Sequence, residues 1–348
     1  MQCEERKQLL RDVFAPQPHE TVLIMIDRPH EDIKDSAIWR ERRTMAQEWY
    51  QTFKDMDIAV DIQEYDATGM HNGMIPPDIL DMAMTYDIVI AMTEYSASAP
   101  LKKMQESLGA PTRIASMPGF ERRMEDGVCR ADYTQVRRYA AALKDMLDDA
   151  IGAKVVFSTG DSLYLDLRNR VAEAEAGDCI HPGMFINFPS GEAYKAPYEA
   201  MPDELDEFGP SKTEGVMPVS YAGELVTFLI QHNRIMEVHG EGKKAEEMQA
   251  FFAANETRRN IAELGIGCNP EAEVTGNPLE DEKVSGLHIA YGTSTQLGGK
   301  VDSDLHIDII YAKDCPVAAT RLTLINQDGT QTHIIKDTGF RYELLEVA

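Results

Sequence analysis

Apolar positions in the first 150 residues fall into short runs, and stretches with helical spacing lie between them. Thr21-Val22-Leu23-Ile24-Met25-Ile26-Asp27, Ala59-Val60-Asp61-Ile62-Gln63, Tyr86-Asp87-Ile88-Val89-Ile90-Ala91-Met92 and Thr112-Arg113-Ile114-Ala115-Ser116 each read as a strand. The first and third are apolar almost throughout, as strands covered on both faces are. Helical patterns run from about Ser36 to Asp55, from Pro76-Pro77, and from about Tyr133 to Ala150. Proline is tolerated in a first helical turn. Such alternation predicts an open, mostly parallel sheet with helices on both faces.

Near Ala150 to Lys154 the pattern changes to paired runs. Val155–Ser158 with Leu163–Leu167, Leu225–Gln231 with Arg234–Val238, and Arg321–Asn326 with Thr332–Ile335 read as hairpins. The turns expected for the last two are His232-Asn233 and Asp328-Gly329. One helix, about Lys243 to Ala254, interrupts the strands. The expected fold class is therefore α/β. Residues 1–152 form the open-sheet domain, and residues 153–348 form a β-rich, mixed α+β domain.

Two strand-like runs in this second part carry the chemistry, Gly286-Leu287-His288-Ile289-Ala290-Tyr291-Gly292 and Leu305-His306-Ile307-Asp308-Ile309-Ile310. His306 and Asp308 are two apart, so on a strand they share a face. If the two strands lie side by side, His288 joins them. Two imidazoles and a carboxylate are a ligand set for a divalent metal. Upstream, Glu192 follows the turn-forming Asn187-Phe188-Pro189-Ser190-Gly191. Glu263 sits in the apolar run Ile261–Ile266, where a buried carboxylate needs a partner; a metal would serve, and so would Arg258 or Arg259. Glu280, Asp281 and Glu282 precede the His288 strand.

Composition narrows the possibilities. A formal net charge of −25 argues against nucleic acid or an anionic membrane surface as partner. No apolar run approaches the roughly 20 residues of a membrane span. The five cysteines are widely spaced, with no C-x-x-C pair, which suits a reducing, cytoplasmic setting. The amino terminus, Met1-Gln2-Cys3-Glu4-Glu5-Arg6-Lys7, lacks the apolar core of a signal peptide. No glycine-rich phosphate loop follows the first strand, and Ser190 lacks the G-x-S-x-G elbow.

Taken in order, these segments resemble the M29 family of metallo-aminopeptidases, of the aminopeptidase T type. The motifs span roughly residues 185–310, and the two-domain layout extends the likeness loosely to the whole chain. In that family glutamates, histidines and an aspartate hold two divalent ions. The resemblance implies Glu192, Glu263, Glu282, His288, His306 and Asp308 as ligands to two ions of zinc, cobalt or manganese. Glu282 needs a one-residue adjustment of spacing, so Glu280 or Asp281 is an alternative. Thr295 stands where the family has a tyrosine, with Tyr291 nearby. The activity implied is a metal-dependent, aminopeptidase-like hydrolase acting on a small peptide or other amide. A metal-activated water would attack, with Glu263 bridging the ions and Glu192 or Glu263 moving the proton. A homodimer is implied too.

The chain also resembles ring-cleaving dioxygenases of dihydroxypyridine, which share the P-S-G segment, the Gly298-Gly299-Lys300 turn and the H-x-D pair. They bind one Fe(II) through two histidines and a carboxylate. In them the position of Glu263 looks like histidine and that of His288 looks apolar, so this chain leans towards the hydrolase pattern. A mononuclear Fe(II) dioxygenase is the alternative expectation, with a metal-binding homologue of lost or changed activity as the third.

Overall fold

The computed structural model describes residues 1–346 and divides the chain into two compact units. One comprises residues 1–137, 177–190 and 270–280; the other comprises 138–176, 191–269 and 281 onward. The boundary expected near residue 152 falls inside the strand Ala150–Phe157. Contacts place the division at residues 137/138, within the helix Tyr133–Asp149, and two later segments return to the first unit.

The first unit is built on a parallel sheet. Strands Thr21–Arg28, Ala59–Asp66, Ile88–Ala91 and Arg113–Ser116 correspond to the four apolar runs. Phe185–Asn187 adds a fifth strand at the edge, parallel to Arg113–Ser116, which the sequence pattern did not reveal. Alternate residues of the first strand divide the core. Val22, Ile24 and Ile26 pack with Leu10 and Phe14 of the helix Cys3–Phe14 and with Trp49 and Phe53 of the helix Ala37–Lys54. Leu23 and Met25 face Leu101 and the partly buried Ile79 and Leu80 instead. Helices therefore cover both faces, as the two-sided apolar runs require. Ser36 caps its helix, its side chain accepting from Trp39 N at 3.0 Å.

The second unit holds two antiparallel sheets. Eight strands form the larger one, and all three expected hairpins lie in it: Ala150–Phe157 with Ser162–Asp166, Glu224–Gln231 with Arg234–His239, and Ala319–Asn326 with Gln331–Lys336. His232 and Asn233 both have positive φ, 51° and 64°, as a twist-matched two-residue hairpin turn demands. The smaller sheet has five strands. In spatial order they are His306–Ile310, Gly286–Gly292, Ile261–Gly267, Glu192–Lys195 and Glu173–Glu175. Its two histidine-bearing strands are neighbours, paired antiparallel.

The two faces of the smaller sheet differ in kind. One face presents Ala193, Leu264, Ile266, Leu287, Ile289 and Tyr291, all buried, to the core of the unit, with Ile307 and Ile309 packed against it. Burying one such large side chain contributes on the order of 1.5–3 kcal/mol. Side chains one position along each strand point the other way. That second face carries Glu175, Glu192, Glu263, His288, His306 and Asp308. Apolar anchoring of one face thus fixes the register of the polar face, because a slip of one residue would invert both.

Candidate metal centre

Cross-strand pairing sets the positions of these polar side chains. Glu263 lies beside Ala290, which lies beside Asp308. In the next row Tyr194 flanks Gly265, and Gly265 flanks His288. Gly292 pairs with His306, and Gly267 with Glu192. Small residues therefore alternate with functional ones, which leaves space above the sheet for carboxylates and imidazoles to lean together. Gly265 shows the need most directly, since a methyl group there would overlap the His288 ring.

Glu263 is the hub. Its Oε1 lies 3.3 Å from His288 Nε2, and its Oε2 lies 3.0 Å from His306 Nε2. His288 Nε2 is also 3.1 Å from Glu192 Oε2, and His306 Nε2 is 3.4 Å from Asp308 Oδ1. On its other side, His306 donates from Nδ1 to the Thr293 carbonyl at 2.8 Å. That bond fixes the ring and turns Nε2 towards the carboxylates, the usual preparation of a ligating imidazole. Arg258 and Arg259, the alternative partners for Glu263, are engaged elsewhere: Arg258 with Asp304 and Arg259 with Glu256.

Mutual support governs the charge states. Burial alone would lower both imidazoles, but Glu192 and Glu263 hold His288 well above its ordinary pKa. Asp308 and Glu263 do the same for His306. Burial would raise Glu263, yet the two imidazoles outweigh it and keep that carboxyl well below its usual range. Even so, Glu192 Oε2 and Asp308 Oδ1 are buried without a well-formed hydrogen bond. Two orphaned carboxylate oxygens beside two imidazole nitrogens fit a cation better than they fit one another.

Two overlapping sets could hold a metal ion, Glu263–His306–Asp308 and Glu192–Glu263–His288, with Glu263 common to both. Glu282 lies elsewhere, in a third set with Glu175 and Glu192. Burial keeps its carboxyl well above the ordinary range, against the pull of Lys283. Neither alternative to it joins these sets; Glu280 is ion-paired with Arg123. Tyr291 belongs to the core, its ring 5.3 Å from that of Phe252, so it does not supply the hydroxyl expected near Thr295. Lys300 pairs with Asp203 at 2.9 Å and Glu204 at 3.0 Å.

Two participants escaped the sequence reading: Glu175 and Lys283. A signal for the first was present in Glu173-Ala174-Glu175-Ala176, whose strict alternation marks a strand with acids on one face. Nothing in the spacing of Lys283 distinguished it from a solvated lysine in an acidic run.

Fold and site together define a two-unit α/β chain with a carboxylate–imidazole centre on the polar face of a five-stranded sheet. The chain belongs to the NicX family, 2,5-dihydroxypyridine 5,6-dioxygenase, whose model matches residues 17–321. Among solved structures it is similar to a 2,5-dihydroxypyridine dioxygenase from Pseudomonas putida KT2440, with 16% identity, 98% of each chain covered and a TM-score of 0.70. It is also similar to wild-type AmpT from Thermus thermophilus, with 14% identity, 97% of this chain and 98% of that one covered, and a TM-score of 0.61. At such identities the two structures establish the fold. Both resemblances noted in the sequence, to the dioxygenases and to aminopeptidase T, thus reappear in the comparisons. No curated protein matches the chain. Among the described residues, no helix is long and apolar enough to cross a membrane.

Proposed function

We propose that the chain is a metal-dependent enzyme that holds one divalent ion among Glu263, His306 and Asp308 and opens a hydroxylated nitrogen heteroaromatic ring with dioxygen. The observation that carries this reading is the convergence of Glu263 Oε2 and the unsatisfied Asp308 Oδ1 on His306 Nε2, a nitrogen already oriented by Thr293. Family membership supports the reaction class. A bound iron would supply the redox chemistry that dioxygen requires. The protein's own groups do the rest. Glu263 and Asp308 furnish negative charge on one side of the site. His288, held between Glu192 and Glu263, stores a proton at Nε2 that ring opening can draw on.

One departure matters. By the resemblance noted in the sequence, the position of Glu263 looks like histidine in the dioxygenases, so the ligand set proposed here is one imidazole and two carboxylates. A second reading follows from the same residue. Because Glu263 is shared by two sets, a pair of ions could be bridged there, and the reaction would be hydrolysis of a peptide or amide.

Metal analysis and turnover separate the two. After anaerobic loading with Fe(II), one equivalent per chain and oxygen uptake with 2,5-dihydroxypyridine are expected. Two equivalents of zinc, cobalt or manganese, with release of an aminoacyl chromophore and no oxygen uptake, would establish the hydrolase instead.

A further inference from the structure

Lys283 is fully buried, and its ammonium is surrounded by acid. Nζ lies 2.6 Å from Glu175 Oε2, 2.6 Å from Glu192 Oε1 and 2.7 Å from Glu282 Oε1. The ammonium donates hydrogen bonds to Glu175 and Glu192, and Glu282 adds a third acidic neighbour at ion-pair distance. Those same three residues are the third set compact enough to hold a metal ion. Glu192 joins this set to the histidines, because its second oxygen, Oε2, faces His288 and lacks a well-formed hydrogen bond.

We propose that Lys283 is a built-in cation that takes the place of a second divalent ion, so that the chain accepts a single ion, at Glu263, His306 and Asp308. This rests on the metal-dependent reading above. The carboxylates of buried Glu192 and half-buried Glu175, converging on one point, would be unfavourable without a cation, so the set has to be filled by something positive. A lysine does this permanently, from within the chain, at any metal concentration. It also draws Glu192 Oε1 away from the histidines and places positive charge next to the Glu192–Glu263–His288 set, which disfavours a second ion there. The fixed charge therefore selects between the two chemistries open to this fold. A reaction needing two bridged ions is closed, and one needing a single ion stays available.

The test is a titration of the metal-free protein with manganese(II) chloride, reading bound equivalents per chain by mass spectrometry of the gel-filtered protein. Wild type is expected to bind one equivalent. Lys283→Met, neutral and similar in length, is expected to bind two, and Lys283→Arg, which keeps the charge, one. A folded Lys283→Met that still binds one equivalent overturns the proposal. Two equivalents in wild type also overturn it, while leaving the metal-dependent reading intact. No metal in wild type would defeat that reading itself, and this inference with it. Should Lys283→Met unfold without metal, manganese is expected to restore its circular dichroism with two equivalents bound; failure to recover at saturating manganese overturns the proposal.

Discussion

Gly265 and His288 face each other across neighbouring antiparallel strands, and the imidazole fills the space in which any other residue at 265 would place its Cβ. The glycine is therefore part of the site, although it contributes no functional group. Gly265→Ala should push the ring away from Glu192 and Glu263 and destabilise the fold by about 1–3 kcal/mol through overpacking. Urea unfolding of the single variants and of Gly265→Ala/His288→Ala checks this. The double variant should lose less than the sum of the singles, because the two positions compete for one volume.

Glu263 touches both imidazoles through different oxygens. Glu263→Gln preserves size but removes the charge that both rings require. Metal affinity should fall by at least the roughly 10–100-fold seen when a supporting group is lost, and turnover should fall with it. His306→Ala should do the same. Isothermal titration with the metal gives the first quantity and oxygen uptake the second. Retention of full metal content by either variant would remove both residues from the centre.

Much of this was legible from sequence, for identifiable reasons. Strands with one buried face alternate, so the polar face of Leu305–Ile310 could be read from His306 and Asp308 alone. The hairpins at His232-Asn233 and Asp328-Gly329 were equally visible, because positive φ restricts which residues can turn there. Glu263 was conspicuous as an acid inside an apolar run. By contrast, Phe185–Asn187 is too short to carry a period, and it joins the parallel sheet only through the tertiary fold. The role of Lys283 was hidden for another reason. Glu282 is its neighbour in the chain, but Glu175 and Glu192 reach its ammonium from 108 and 91 residues away, and no local pattern records such a convergence. Arg258 and Arg259, plausible partners of Glu263 by proximity in sequence, turned out to serve other acids.

Acid should weaken the second unit through Glu204. Arg170 holds this carboxylate with two contacts, of 2.8 and 2.9 Å, and Lys300 adds a third at 3.0 Å. Arg170 above all lowers its pKa from 4.5 to about 2, with burial opposing. A depressed folded-state pKa means stability that is fully present above the unfolded value of 4.5 and lost as pH falls towards 2. The loss attributable to this residue should be roughly 2–3 kcal/mol. Unfolding midpoints measured across that window should drop steeply in wild type and less steeply in Glu204→Gln, which lacks the titrating group.

Asn260 positions the centre without touching it. Its Nδ2 donates to the Gly292 carbonyl at 3.0 Å, and its Oδ1 accepts from Asn233 Nδ2 at 3.0 Å. Gly292 pairs with His306, and the carbonyl of the next residue, Thr293, accepts from His306 Nδ1. The chain of bonds therefore runs from a buried asparagine, through the end of one strand, to the ring of a proposed ligand. Asn260→Ala would leave the Gly292 carbonyl and the Asn233 amide each short of a partner, costing about 1–3 kcal/mol. The more informative effect is on the metal. If Asn260 fixes the segment that aims His306, affinity should fall about 10–100-fold. Glu204→Gln, a comparably buried change in the same unit, should leave affinity unchanged at neutral pH. Equal metal affinity in wild type and Asn260→Ala would show that His306 is oriented by its strand alone.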